Sequence, residues 1–323
     1  MRILYDLLWR NIMKEYTIGS NDAGQRVDKF ILKVAKQLPK SMLYKMIRKK
    51  RIKRNGKRCD AADQLVEGDL LQLYINDEFF GEQKESVIFN PLRREFDIVY
   101  EDQNILLVNK PIGLRVHGDQ GETENTLVHQ VQQYLIEKGD YCPEQEQSFS
   151  PALCNRLDRN TQGIVIAAKN AASLRMLNQK IQERQIQKYY LCMVTGVPKP
   201  EHQLLVGYWK KNQKNNLVTI SPQPVPDGKK VITEYTVQKQ NGEYSLLEIQ
   251  LHTGRSHQIR AHMASTGHPL VGDVKYGGEK QKGYQCLCAY KLKFQFDTDA
   301  GILNYLNQQE FSLKQVWFKD QLS

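Results

Sequence analysis

Beyond residue 95 the chain reads as many short strand-like segments with few helices between them. Apolar and β-branched runs fall at residues 96–100, 105–110, 164–168, 189–194, 231–237, 244–251 and 287–296, broken by Gly, Pro and Asn turns. Helical periodicity is confined to residue 126 to about 135, and 170 to about 184, where Leu174, Leu177 and Ile181 share a face. A doubly wound parallel sheet needs a crossover helix between almost every pair of strands. The pattern therefore predicts an α+β domain with a mostly antiparallel or mixed sheet. The basic stretch 209–230 is expected to be a long hairpin tip or loop.

The chain has 323 residues, 40% of them hydrophobic and 25% charged, enough for two domains of ordinary soluble composition. It has no run of about 18 apolar residues, so no spanning helix is expected. The apolar patch at residues 1–13 contains Asp6 and lacks a small-residue cleavage site, which argues against a secretory signal. Met13 is an alternative start to Met1. Six scattered cysteines form no C-x-x-C pair and read as reduced thiols of a cytoplasmic protein.

A smaller domain is expected ahead of the sheet. Val27, Phe30, Ile31, Val34 and Leu38 form a helical stripe ended by Pro39. Ser41 is a plausible cap for a second helix bearing Met42, Leu43, Met46 and Ile47. Residues 40–58 hold ten basic side chains and no acidic one, and Asn55-Gly56 is a turn signal. Solvated faces usually mix signs, so this run suits a phosphate backbone. Its candidate contacts with such a backbone are Lys45, Arg48, Lys49, Arg51, Lys53, Arg54 and Lys57. With a net charge of +10, a polyanionic partner is expected. The expected division is an extension at 1–22, the small domain at 23–76, a linker at 77–95 and the large domain at 96–323. The small domain resembles the αL RNA-binding domain, through Gln25-Arg26-Val27-Asp28-Lys29-Phe30, residues 41–52 and Arg54-Asn55-Gly56-Lys57.

Three segments of the large domain carry chemistry. The first is Asn155-Arg156-Leu157-Asp158-Arg159-Asn160-Thr161-Gln162-Gly163, opening into an apolar strand. An acid between two arginines is either a salt-bridged turn or a presented nucleophile or base. The second is residues 188–196, where strand alternation puts Lys188 and Tyr190 on one side. The third is residues 253–262, with Arg260 in an otherwise apolar short helix that Ser256 could cap. A buried Arg260 needs a carboxylate or an anion. His252, His257 and His262 recur every five residues, which does not suit a zinc site, so no metal is expected. No phosphate-binding loop is present. A glycoside hydrolase would need a second carboxylate, for which Asp273 is the one residue to check.

Taken together these segments resemble the RluA family of pseudouridine synthases. The resemblance covers residues 96–296. It includes Val108-Asn109-Lys110-Pro111, Gly113, the Lys188-x-Tyr190 pair, Thr253-Gly254-Arg255-x-His257-Gln258-Ile259-Arg260-x-His262, Gly267-His268-Pro269-Leu270-x-Gly272-Asp273 and Tyr276-Gly277. It implies isomerisation of uridine in RNA, without a cofactor. Asp158, Tyr190 and Arg260 are then the catalytic set. Arg156 would hold RNA with the target base extruded, and Lys188, Arg255 and His257 join it as candidate RNA contacts. Two departures are Asn155 for the usual His and Gln162 for the usual Ser. The αL domain favours ribosomal over transfer RNA, and a monomer is expected. The rival expectation is an RNA-binding assembly factor without catalysis.

Overall fold

The computed structural model describes residues 13–80, 93–118, 125–279 and 283–322. The expected extension before Met13 and most of the expected linker (81–92) lie outside the described residues. Two compact units form. One gathers the described residues before Arg93 with Gln132–Pro151 and Asn170–Ala172; the other gathers Arg93–Val131, Ala152–Lys169 and the chain from Ser173 onward. The two internal stretches thus cluster away from the sheet domain in which the sequence reading put them.

In the first unit, strand β1 (Met13–Thr17) precedes helices α1 (Val27–Val34) and α2 (Lys40–Arg48), then β2 (Ile52–Arg54), β3 (Lys57–Arg58) and β4 (Leu70–Tyr74). The antiparallel sheet runs β1-β4-β2-β3. Val27, Phe30 and Ile31 of α1 and Leu43 and Ile47 of α2 bury against Leu71 and Leu73. Strand β1 lies upstream of the expected boundary at residue 23, which is corrected accordingly. Ser41 does not cap α2. The cap is Pro39, whose φ of −62° suits the extended residue before a helix and whose carbonyl accepts the Leu43 N–H at 3.0 Å. Asn55 and Gly56, at φ 52° and 73°, make the tight turn between β2 and β3. Asp69 is buried beneath that turn. It accepts from Asn55 Nδ2, Val66 N and Arg54 Nε at 2.7–2.8 Å.

The second unit is built on one sheet. Its strands are β5 (Asp97–Glu101), β6 (Ile105–Lys110), β7 (Ala152–Leu153), β8 (Gln162–Ala168), β9 (Ile186–Thr195), β10 (His202–Asn212), β11 (Leu217–Ser221), β12 (Lys229–Gln240), β13 (Tyr244–Leu251), β14 (Leu287–Phe294) and β15 (Glu310–Ser312). The order is β11-β10-β12-β13-β9-β14-β8-β6-β5, with β15 on β14 and β7 on β8. Every pairing is antiparallel except β14 with β8. This is the mostly antiparallel α+β sheet expected. Helix α5 (Gln258–Ser265) and most of α4 (Ala171–Gln182) belong to this unit, whereas α3 (Leu127–Lys138) is divided between the two units after Val131. The stretch 209–230 is more regular than expected. It completes β10, forms β11 and opens β12, because Lys210 pairs with Thr219 and Tyr208 with Lys230 in register.

The parallel pair lies beside the turn that carries Asp158. Gly163 of β8 faces Ala289 of β14, and its φ is 142°. A Cβ there would lie 2.5 Å from the Ala289 Cβ and carbonyl oxygen, so only glycine lets the two strands close. The turn carrying Asp158 leads directly into this crossing. Tyr190 lies on β9, the other neighbour of β14.

Candidate active site

Asp158 sits in the loop between β7 and β8 with about a quarter of its side chain exposed. Its local turn is held from several sides. Thr161 N–H returns to the Asp158 carbonyl at 3.0 Å. Asn155 Oδ1 accepts the Ile166 N–H at 2.8 Å and its Nδ2 donates to Ile164 O at 3.2 Å, so this residue braces the edge of β8. Gly113 N–H and Lys110 Nζ both reach the Arg159 carbonyl at 3.0 Å. The Lys110 ammonium is fully buried and directs its other two donors to Pro111 O and Leu114 O. Burial pushes its pKa down to about 8, against the opposing attraction of Asp158.

Arg260 approaches from α5. Its Nη1 donates to Asp158 Oδ2 at 3.0 Å. Its Nε and Nη2 donate to the two carboxylate oxygens of Asp273 at 2.6 and 2.7 Å. Asp273 is almost fully buried, so this two-pronged pair is a desolvated one of good geometry. Burial opposes the charge on Arg260, but the contacts with Asp273 and Asp158 outweigh it and raise its pKa. The helix that carries Arg260 is tied down by neighbouring residues of the same motif. Gln258 donates to Ile232 O and Thr233 Oγ1, and its Oε1 accepts from Thr253 Oγ1 and Arg255 N. His262 meets Thr233 Oγ1 at 2.9 Å, and burial pushes its pKa down to about 4. The helix cap is His257, not Ser256.

Asp158 opens into a cleft of about 400 Å3 shared with Arg115, His117, Arg156, His257, Arg260 and Lys275. A smaller recess of about 60 Å3 beside it reaches Tyr190, Leu251, Arg255, Ile259 and Leu287. The Tyr190 phenol is buried there. Its pKa is raised by burial and then by the Asp158 charge, so at neutral pH it is a hydroxyl. The floor is apolar and the rim cationic, a combination that fits a planar base on one side and phosphates on the other.

The structure brings Asp158, Arg260, His257, Arg156, Arg255 and Tyr190 to one place. Lys188 does not line either space. It is half-buried beside Gly254, and burial lowers its pKa. Lys110, His117 and Tyr276 were not assigned roles from sequence. A lysine closing a buried strand before Pro-x-Gly is the one signal that marked Lys110. In the first unit, Lys45, Arg48, Lys49, Arg51 and Lys57 are exposed. Arg54 is instead committed to Asp69, and Lys53 lies over the Tyr74 ring at 5.3 Å. Both are thereby less available than the spacing suggested.

Among the described residues no three His, Cys, Asp or Glu side chains are grouped to hold a metal ion. The recurring histidines separate to Glu234, Tyr276 and Thr233. No helix among them is long and apolar enough to cross a membrane.

Residues 104–265 match the family model for RNA pseudouridylate synthase. The chain belongs to this family. It is 32% identical over 317 residues to a ribosomal large subunit pseudouridine synthase C of Vibrio parahaemolyticus, covering 93% of this chain and 94% of the relative. It is 31% identical to an uncharacterized RNA pseudouridine synthase of Mycoplasma capricolum, covering 94% and 99%. A solved structure of human RNA pseudouridylate synthase domain containing 1 shares the fold, with a TM-score of 0.52 at 23% identity over 70% of this chain and 92% of that one. The protein is thus an isomerase that converts uridine to pseudouridine in RNA, with the RluA-type motifs read from its sequence.

Proposed function

We propose that this enzyme modifies large-subunit ribosomal RNA and that Asp158 is its reacting carboxylate. The observation that carries the second statement is the Arg260 to Asp158 contact at the mouth of a recess holding Tyr190. The first is supported by relatives named for ribosomal large subunit activity at 32% identity.

The reaction detaches uracil from the anomeric carbon, turns it and rejoins it through carbon 5. A carboxylate serves it by attacking the anomeric carbon or by removing a ribose proton. Both routes use the Asp158 carboxylate, against which the Arg260 guanidinium is held at 3.0 Å. Tyr190 is a stacking surface for the base and a hydroxyl for proton traffic. The target base must leave its stack first, at a cost on the order of a few kcal/mol. Arg156 and Arg255, which line the recess, would hold the extruded nucleotide. The first unit, with its exposed basic helix α2, adds phosphate contacts away from the site. Ribosomal RNA as substrate implies the cytoplasm.

The test is a pseudouridine map of total RNA from a strain lacking the gene. Discrete ribosomal RNA sites that return with the wild-type protein, and not with Asp158→Asn, support both statements. Sites returning in transfer RNA instead would overturn the substrate assignment. Sites restored equally by Asp158→Asn would remove Asp158 from its role.

A further inference from the structure

One short turn after α5 supplies two side chains to the site. Tyr276 N–H and Gly278 N–H both return to the Asp273 carbonyl, at 3.0 and 2.9 Å. From this turn Asp273 grips Arg260, and the Tyr276 ring lies 5.1 Å from the guanidinium carbon. The Tyr276 hydroxyl accepts the Val218 N–H at 3.1 Å and sits 2.8 Å from His257 Nδ1.

His257 has a left-handed backbone, φ 53°. Such angles are uncommon outside glycine, and histidine is among the side chains that tolerate them. Its ring Nε2 lies 3.7 Å from Asp158 Oδ2, longer than a hydrogen bond, and Arg260 Nη1 donates to that same oxygen. Oδ1 of Asp158 accepts no hydrogen bond among the described residues.

The hydroxyl of Tyr276 already accepts one N–H, which leaves its own hydrogen to give. Given to Nδ1, it fixes the neutral ring as the Nε2–H tautomer. The opposite tautomer would set a nitrogen lone pair against the carboxylate. The charged groups around the ring are Asp158, Arg260, Lys275 and Asp273.

We propose that Tyr276 is a positioning residue for the isomerisation: through His257 it presents an N–H to Oδ2 of Asp158 and leaves Oδ1 turned to the substrate. The inference rests on Asp158 being the reacting carboxylate, so Asp158→Asn is assayed alongside. The substrate is total RNA labelled with tritium at uracil carbon 5, taken from a strain lacking the gene. Tritium release reports each turnover wherever the target lies. Activity retained by Asp158→Asn sinks the proposed function, independently of the comparison below.

Tyr276→Phe keeps the ring and loses the hydroxyl. His257→Asn keeps a residue that tolerates the left-handed backbone and loses the reach. Tyr276→Phe is expected to lower kcat on the order of tenfold, short of the ~100-fold that a misplacement of about 1 Å can cost. KM is expected to stay within about twofold. The double variant is expected to be no slower than His257→Asn alone, because Tyr276 acts through the ring. Losses that multiply, or no loss from Tyr276→Phe, would overturn the proposal. A second measurement needs no variant: nitrogen NMR of 15N-histidine wild-type enzyme should show His257 protonated at Nε2. Protonation at Nδ1 alone would overturn it as well.

Discussion

Arg260 Nη1 lies 3.0 Å from Asp158 Oδ2 while the rest of the same guanidinium is clamped on Asp273. The Asp158 carboxylate is therefore held by a cation that is itself immobilised. Asp273, the second acid weighed from the sequence for a hydrolase pair, does not face the substrate cleft as a partner of Asp158. It stands behind the arginine and is buried.

Replacing Asp158 with Asn keeps shape and most contacts while removing the charge. Turnover is expected to vanish, with RNA affinity kept within about threefold, since affinity rests mainly on the basic rim. Tritium release and filter binding on the same preparation separate the two. Near-normal release would remove the carboxylate from the reaction.

Arg260→Met removes the cation that holds both oxygens of the buried Asp273 carboxylate. Breaking a buried pair typically costs about 3–5 kcal/mol. The denaturation midpoint should fall accordingly, and activity should be lost even below that midpoint. A variant as stable as wild type would show that Asp273 finds another partner.

His262 supplies a pH dependence of stability. Its folded pKa of about 4 lies below the ordinary value of 6.5. The unfolded chain thus takes up a proton first as pH falls. The contribution is fully present above pH 6.5 and is lost progressively down to pH 4, about 3 kcal/mol in all. Denaturant unfolding at pH 7 and pH 5 should show about 2 kcal/mol of that loss, and His262→Gln should flatten it. An equal slope in the variant would place the titration elsewhere.

Much of the site was legible because its parts lie in contiguous motifs. Asp158 and Arg260 each announced themselves as charges in settings that demanded a partner. The strand content and the antiparallel sheet followed from period-two runs with few helices. What stayed hidden depended mostly on distance in the chain. The Lys110 ammonium donates to the nearby carbonyls of Pro111 and Leu114, but its tie to the Asp158 turn runs through the Arg159 carbonyl, 49 residues away. Arg54 looked like part of a phosphate-binding run, yet Asp69, well beyond that run, holds it. The cap of α5 was misplaced by one residue because His257 takes a left-handed backbone that its side chain does not advertise.

The same reasoning separates the basic residues of the first unit by use. Lys45, Arg48 and Lys49 are exposed on or just beyond α2, whereas Arg54 is held by Asp69. If α2 meets RNA, neutralising Lys45, Arg48 and Lys49 to Gln should weaken binding and flatten its salt dependence. Removing one phosphate-binding cation lowers the slope of log affinity against log salt by about 0.7–0.9, so the triple variant should lose up to about 2–3 in slope. Arg54→Gln should barely change the slope and should instead lower stability, because Asp69 loses its cation. Titrating labelled ribosomal RNA with each variant at several salt concentrations decides it. An unchanged slope in the triple variant would mean that α2 does not contact phosphate. A slope change in Arg54→Gln equal to that of a surface lysine would mean that the Asp69 pair opens when RNA binds.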